Sequence, residues 1–510
     1  MVNKKIRKAQ CLTRSDRKNI NLRQVIFLTA ILIFFLPQPH AFSKEIKKER
    51  AEIKELSLAD CVFLTLRNNK NIETAYLDRV VQKFDLKVAK DEFVPDLSVT
   101  PSIKYTNTGD LDDRTYTFKH EIGLTVTEKV PTGAEFVFSW AHATENENDS
   151  TDSTYSMSWN ISARQPLLKG GGIDVNTVSI RTAHISEQIN ILNLKSIIID
   201  TITSAINSYR AFVQARKALE ITKNSLKRAR ELMEVNKALI EAGRMAKVEI
   251  VQTQADIASK EFGLTQAENA ADAARLSLLK ILDIDMYTKI IPVEKIVPDI
   301  KQPDLYKCTD IAFKNRSDYG QALLNMKITE MDLIVAKNNS LWDLSLEGGY
   351  SGSGMDETKR NWAFKEAQQI ALAEWNLGLS LNIPFGDLTR EQGVLRAKTN
   401  LKKAEINLKK LKDNIKNEVN DAVRDVQMKL RQVELARQAR KLSKKKLVIE
   451  KEKLKAGRSS NFQLVSFQND LISAQNNELN AAINYLNALT SLDKTLGTTL
   501  DTWKINIKKD

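Results

Sequence analysis

Over 510 residues this chain carries 3 cysteines, 4 histidines, 10 prolines and 18 glycines, and only 6% of it is aromatic. Three cysteines in so long a chain do not make a disulfide framework. His120, His142 and His184, the histidines beyond residue 43, have no acidic or cysteine partners at ligand spacing, so no metal is expected. After residue 43 no stretch approaches the 18 consecutive apolar residues of a membrane-crossing helix. Gly170-Gly171-Gly172 lacks the Lys-Ser/Thr ending of a phosphate loop and reads as a flexible strand-to-helix joint. No catalytic, cofactor-binding or metal residue is nominated, and the chain does not read as an enzyme.

Charge is abundant, and its placement matters. The formal charge of +13 suggests nucleic-acid binding until it is located. Residues 1–43 hold eight Lys or Arg against one acid, Asp16, and so supply +7 of the +13. The basic stretch runs into VIFLTAILIFFL (Val25 to Leu36) and then small residues at Ala41-Phe42-Ser43. These are the parts of a secretory signal peptide, residues 1–43. This twelve-residue run falls short of the ~20 of a spanning helix, so a mature chain beginning near Lys44, without a lipid, is expected. That chain is exported and only mildly basic, and no nucleic-acid partner is expected.

The mature sequence states itself twice. DLKVAKDEFVPDLSV (85–99) recurs as DLIVAKNNSLWDLSL (332–346), and Leu58, Cys61, Asn68 and Asp96 recur 247 residues later as Leu305, Cys308, Asn315 and Asp343. Ala242-Gly243-Arg244 recurs 214 residues later as Ala456-Gly457-Arg458. The expected domains are a first repeat at 44–285 with strands about 97–163, a linker at 286–304, a second repeat at 305–500 with strands about 344–383, and a tail at 501–510. The difference between the offsets makes the first copy 33 residues longer.

Each copy changes period as it proceeds. Leu97, Val99, Ile103 and Tyr105 alternate with polar residues, as do Tyr155, Met157, Trp159 and Ile161, and Trp375, Leu377, Leu379 and Leu381; this is the pattern of strands with one greasy face. After Gly172 and Gly386 the spacing becomes helical for about 65 residues, as at Leu408, Leu411, Ile415, Val419, Ala422, Val426, Leu430 and Val433, a coiled-coil-like seam. Gly243 and Gly457 suit helix-ending left-handed positions, so each copy ends in a long antiparallel hairpin. The extra residues read as an added hairpin: Ile122, Leu124 and Val126, the turn PTGA at 131–134, then Phe136, Phe138 and Trp140. The polar run 144–154 reads as an outside loop.

LSLADCVFLTLRNN (56–69), VPDLSV (94–99), RQPLLKGGG (164–172), KLKAGRSSNFQLV (453–465) and YLNALTSLDKTLGTTL (485–500), in this order, resemble the TolC-like outer-membrane efflux family. The resemblance implies a mainly α fold with a membrane β part: a homotrimer whose periplasmic α-barrel continues into a shared outer-membrane β-barrel, four strands per protomer. It implies a duct of a tripartite efflux or type I secretion system, in contact with outer-membrane lipid, a periplasmic adaptor and an inner-membrane pump of RND, ABC or MFS type. Barrel aromatics would be Tyr105, Phe136, Phe138, Trp140, Tyr155, Trp159 and Trp375. The added hairpin either enlarges the barrel to six strands per protomer or folds beside four. Gly243, Arg244, Gly457 and Arg458 would be adaptor-docking tips. Glu249, Gln252, Gln463 and Ser466 would lie at the periplasmic entrance, with Gln463 and Ser466 standing where relatives can carry aspartates; a latch between Glu249 and Arg458 or Arg244 is expected there. The competing class is a periplasmic coiled-coil scaffold or adaptor without a barrel, against which the Trp159 and Trp375 segments argue.

Overall fold

The computed structural model describes residues 55–110, 113–147, 153–294, 300, 302–357, 359–369 and 373–506. The expected signal peptide lies outside them, as do parts of the expected linker and tail. Ser57 and Asp60 close a capping box around the first turn of α1 (Leu58–Asn68), and Asn69 both ends that helix and caps α2 (Lys70–Asp91). Strands β1 (Asp96–Asp110), β2 (Asp113–Lys129), β3 (Glu135–Glu147) and β4 (Ser153–Pro166) follow, then α3 (Val178–Glu241) and α4 (Glu249–Leu282). The order is repeat-like. It resumes with α5 (Leu305–Asn315), α6 (Ser317–Asn339), β5 (Asp343–Asp356), a short α7 (Arg360–Ala367), β6 (Glu374–Asn382), α8 (Leu388–Lys455) and α9 (Asn461–Leu496).

The long helices exist because their apolar stripes find partners. In α8, Ile415, Val419, Val426 and Val433 are buried against Tyr485, Leu492 and Leu496 of α9. In α3, Ile198, Ile202, Ile206, Tyr209 and Phe212 pack on Leu278, Leu279 and Leu282 of α4. Each such side chain contributes about 1.5–3 kcal/mol by leaving water. At ~1.5 Å per residue, the 64 residues of α3 and 68 of α8 each reach about 100 Å. Part of Ile173–Glu241 is apolar enough by composition to cross a membrane, yet its apolar side chains from Leu194 to Phe212 are core.

These six strands form one antiparallel sheet in the order β1-β2-β3-β4-β5-β6, and Glu55–Leu56 pairs separately, in parallel, with Ile291–Pro292. The added hairpin is β2–β3, and it lies within this sheet rather than beside it. The expected loop at 144–154 is shorter than its polarity suggested: Thr144 to Glu147 stay in β3, and Asn146 still pairs with Ser153. A backbone ladder can propagate through threonine and asparagine as long as both strands continue, so hydrophilicity alone did not mark its end.

Cys61 and Cys308 are free thiols buried in separate cores. Burial pushes the Cys61 thiol up to about 12, far above the pH at which a thiolate could react. The folded mature protein should therefore resist an aromatic disulfide reagent at pH 8, and should release both thiols on unfolding without reductant. Rapid labelling of the native state, or no thiol after unfolding, would contradict this.

Candidate functional site: the faces of the sheet and the hairpin tips

Alternation along six strands sorts the side chains onto two faces. Register places Val99, Leu124, Trp140, Trp159 and Gly352 in one row, and Leu97, Val126, Phe138, Ile161, Tyr350 and Trp375 in the next row of the same face. Tyr105, Phe136 and Tyr155 belong to this face as well, so all seven aromatic residues singled out in the sequence are brought together on it. Tyr105 is 64% and Trp375 77% exposed. The opposite face carries Ser98, Thr100, Thr125, Ser139, Ser158 and Ser351, with a Lys119–Glu121 ion pair at 3.0 Å. Along β2 the greasy side chains Tyr116, Phe118 and Ile122 are exposed while Thr115, Thr117 and Glu121 are half-buried. Along β2 the sheet therefore encloses its hydroxyl-rich face more and turns its apolar face outward, while β1 and β6 are exposed on both faces.

The joint between sheet and helices is held more firmly than its glycines suggested. Gly172 N–H donates to Thr132 O at 3.0 Å, and Gly170 N–H to Asn338 Oδ1 at 2.7 Å. Asn176 Nδ2 donates to the Gly170 and Gly172 carbonyls. The turn of the added hairpin is thus tied to the glycine joint before α3, and that joint to Asn338 near the end of α6.

At the far ends, each long helix stops in the same way. Gly243 N–H donates to Ile240 O and Arg244 N–H to Leu239 O; Gly457 N–H donates to Leu454 O and Arg458 N–H to Lys453 O. This is the paired-bond helix stop that needs a left-handed residue, and Gly243 and Gly457 have φ of 68° and 71°. Gly243, Arg244, Gly457 and Arg458 are exposed, whereas Glu249, Gln252, Gln463 and Ser466 are half-buried just behind them. The expected latch is not formed within the chain: among the described residues no ion pair joins Glu249 to Arg244 or Arg458. Two such exposed arginines are better solvated apart than fixed.

The tips are instead joined by neutral polar groups that sequence reading missed. Asn236 of α3 donates to Thr253 Oγ1 of α4 and to Asn461 Oδ1 of α9, both at 2.8 Å, and Asn461 Nδ2 donates to Thr253 Oγ1 at 3.1 Å. All three side chains are buried. The signal was present, since Asn236 continues the spacing of Leu226, Ala229 and Leu232 and so interrupts an apolar seam. Beside them, Ser459 Oγ donates to Glu450 at 2.6 Å, which with Lys453 holds that carboxyl below its usual range. A lowered carboxyl stabilises the tip above its unfolded pKa, ~4.3, and this contribution is lost as pH falls through the folded value. Among the described residues no group of His, Cys, Asp and Glu is arranged to hold a metal.

A family model described as outer membrane efflux protein matches residues 129–283 and 311–498. No curated protein sequence matches the chain. Among solved structures, the CmeC outer membrane channel of Campylobacter jejuni is similar with a TM-score of 0.65 at 16% identity, over 87% of this chain and 86% of that one. The outer membrane protein VceC of Vibrio cholerae gives 0.63 at 13%, over 86% and 96%. The open state of the MtrE outer membrane channel of Neisseria gonorrhoeae gives 0.61 at 14%, over 87% and 89%.

Replacing Asn461 by Ala removes the group that both tips share and leaves Asn236 and Thr253 short of a partner, at about 1–3 kcal/mol. Amide hydrogen exchange should speed up at residues 236–253 and 461–468 and stay unchanged around Ile202 and Val426. Unaltered exchange at the tips would remove the cluster's structural role.

Proposed function

Because this chain belongs to the outer membrane efflux protein family, and so sits in the outer membrane and reaches into the periplasm, we propose that three copies form one continuous duct. Its six-stranded sheets join into a shared barrel, and its helical hairpins stack into a periplasmic tube. The observation that carries this reading is the open sheet. β1 and β6 are its edges, both with large apolar side chains exposed. An edge in hydrocarbon leaves N–H and C=O groups without partners, and six strands are fewer than the smallest closed membrane barrel, of eight. Edge must meet edge of another copy. Three sheets of six strands give eighteen in all, where the family resemblance implies twelve; diameter grows roughly linearly with strand number, so the exit is about half as wide again.

In this reading each chain consists of two copies of one unit, the apolar face meets lipid and the hydroxyl-rich face lines the lumen. The tips at Gly243–Arg244 and Gly457–Arg458 meet a periplasmic adaptor, and Glu249, Gln252, Gln463 and Ser466 border the entrance. Cargo arrives from an inner-membrane pump, and the protein does no chemistry on it. A periplasmic scaffold would have no use for an outward row of Trp375, Leu377, Leu379 and Leu381.

The duct should be extracted from outer membranes as a trimer that runs intact unheated and as a monomer when boiled; a monomer in both lanes would defeat the proposal. Density of that trimer should contain eighteen strands, and twelve would reject the enlarged barrel. A Cys at Asn146 should react with an impermeant maleimide added to whole cells while one at Thr132 should not. Gly457→Val strains an exposed left-handed position and should lower export while leaving trimer yield unchanged; unimpaired export would take the tip out of docking.

A further inference from the structure

Between β5 and β6 the chain does not pass as a plain outer loop. It folds back as α7 over the outward, apolar face of the sheet. The seat is built for it: beyond Tyr350 the outward positions of β5 are Gly352 and Gly354. A Cβ on Gly354 would collide with the Ala363 carbonyl and stand 2.6 Å from Ala367 N, and one on Gly352 would stand 2.8 Å from Ala367 O. Ala363 and Ala367 are buried in that seat. Trp159 Nε1 donates to Ala367 O at 2.7 Å, and Glu366 accepts from Met355 N–H at 3.0 Å. The other side of α7 is turned away from the protein. Trp362 is 60% and Phe364 46% exposed, and Lys359, Arg360 and Lys365 are exposed around them.

Height along the strands fixes what lies beside this surface. Trp159, Tyr350 and Trp375 each stand seven residues from the helix-side end of their strands, and Gly352 and Gly354 stand nine and eleven. A strand tilted about 40° gains roughly 2.5 Å of height per residue. Nine to eleven residues then reach about 23–28 Å, the outer edge of an apolar band ~25 Å tall. Large aromatic rings with basic neighbours at that depth suit the headgroup layer, where rings sit among glycerol and acyl ends and cations reach phosphate.

We propose that α7 is an interfacial helix that beds the protein in the outer leaflet, with Trp362 and Phe364 in the headgroup layer and Lys359, Arg360 and Lys365 on lipid phosphates. The proposal rests on the reading that the apolar face of the sheet meets the membrane, so its test carries a control for that reading. Because Cys61 and Cys308 are buried, Phe364→Cys and, separately, Leu377→Cys on bare β6 can be labelled with a polarity-sensitive nitrobenzoxadiazole probe. The labelled mature protein, which lacks Cys11, is then reconstituted in phosphatidylcholine–phosphatidylglycerol vesicles containing a shallow or a deep nitroxide lipid. At position 364 quenching by the shallow nitroxide should exceed that by the deep one about twofold, and replacing Arg360 and Lys365 by Glu should reduce it. Water-like, unquenched emission at 364 beside a quenched probe at 377 overturns the proposal alone. Stronger deep than shallow quenching at 364 overturns the headgroup placement. Unquenched probes at both positions overturn the membrane reading of the sheet, and the helix with it.

Discussion

In hydrocarbon every backbone N–H and C=O must be paired within protein, and nearly everything else in this molecule follows from how its sheet meets that demand. Within the chain, β2 to β5 are paired on both sides and β1 and β6 on one. The apolar face can be solvated by lipid, but the two edges cannot. A soluble protein would blunt such edges with charge, proline or a covering loop. Here β1 presents Leu97, Val99, Ile103 and Tyr105 up to its edge, and β6 presents Trp375 to Leu381. Within one chain those edges remain open.

The helical part is held together by two different fabrics. Within each hairpin the contact is apolar, as between Val426 of α8 and Tyr485 of α9 or Ile206 of α3 and Leu278 of α4. Between the hairpins Leu232 packs with Leu447, Leu454 and Leu464 near the tips, and polar bonds cross as well. Arg210 of α3 donates to Leu486 O at 2.6 Å and Thr490 Oγ1 at 2.7 Å on α9, Gln214 donates to Asn480 at 2.7 Å, and Asn236 reaches Asn461 at the tip. Burial lowers the Arg210 guanidinium to about 10, which still leaves it charged at neutral pH. Apolar surfaces supply most of the free energy but are tolerant of sliding; directional bonds from partly buried groups fix the offset at which one hairpin meets the other.

These two fabrics explain which parts of the structure were legible in the sequence. Apolar seams repeat every three or four residues over dozens of positions, so α3 and α8 could be read from Ile198 or Val419 alone with their neighbours. Strand alternation at Trp375, Leu377 and Leu379 was equally plain, because one apolar and one polar face impose the period. Single polar residues carry no period of their own. Asn461 looks like any residue after a helix cap until Asn236, 225 residues earlier, is set beside it in space. The α7 helix escaped for the same reason: eight residues make barely two turns, and what places it is a gap left by Gly352 and Gly354 on a different strand. The expected latch is not formed within the chain; it was inferred from charge sign near a turn, and exposed ions have little to gain from meeting.

The width of the sheet can be weighed against the helices it rests on. At the joint four helix ends meet it: α2 and α6 arriving, α3 and α8 departing, with α2 packed on α3, α3 on α6 and α6 on α8. Neighbouring helices lie ~8–10 Å apart, so four occupy an arc of about 32–40 Å. Strands ~4.8 Å apart and tilted about 40° each take roughly 6 Å of circumference. Four strands would cover only about 25 Å of that arc, and six cover about 38 Å. By these general spacings six strands match four helix ends more closely than four strands do. The bonds from Thr132 at its turn to Gly172 and Gln165 tie the extra strands to the same joint that carries the others. A hairpin packed beside a four-stranded sheet would have needed neither the matching arc nor those bonds.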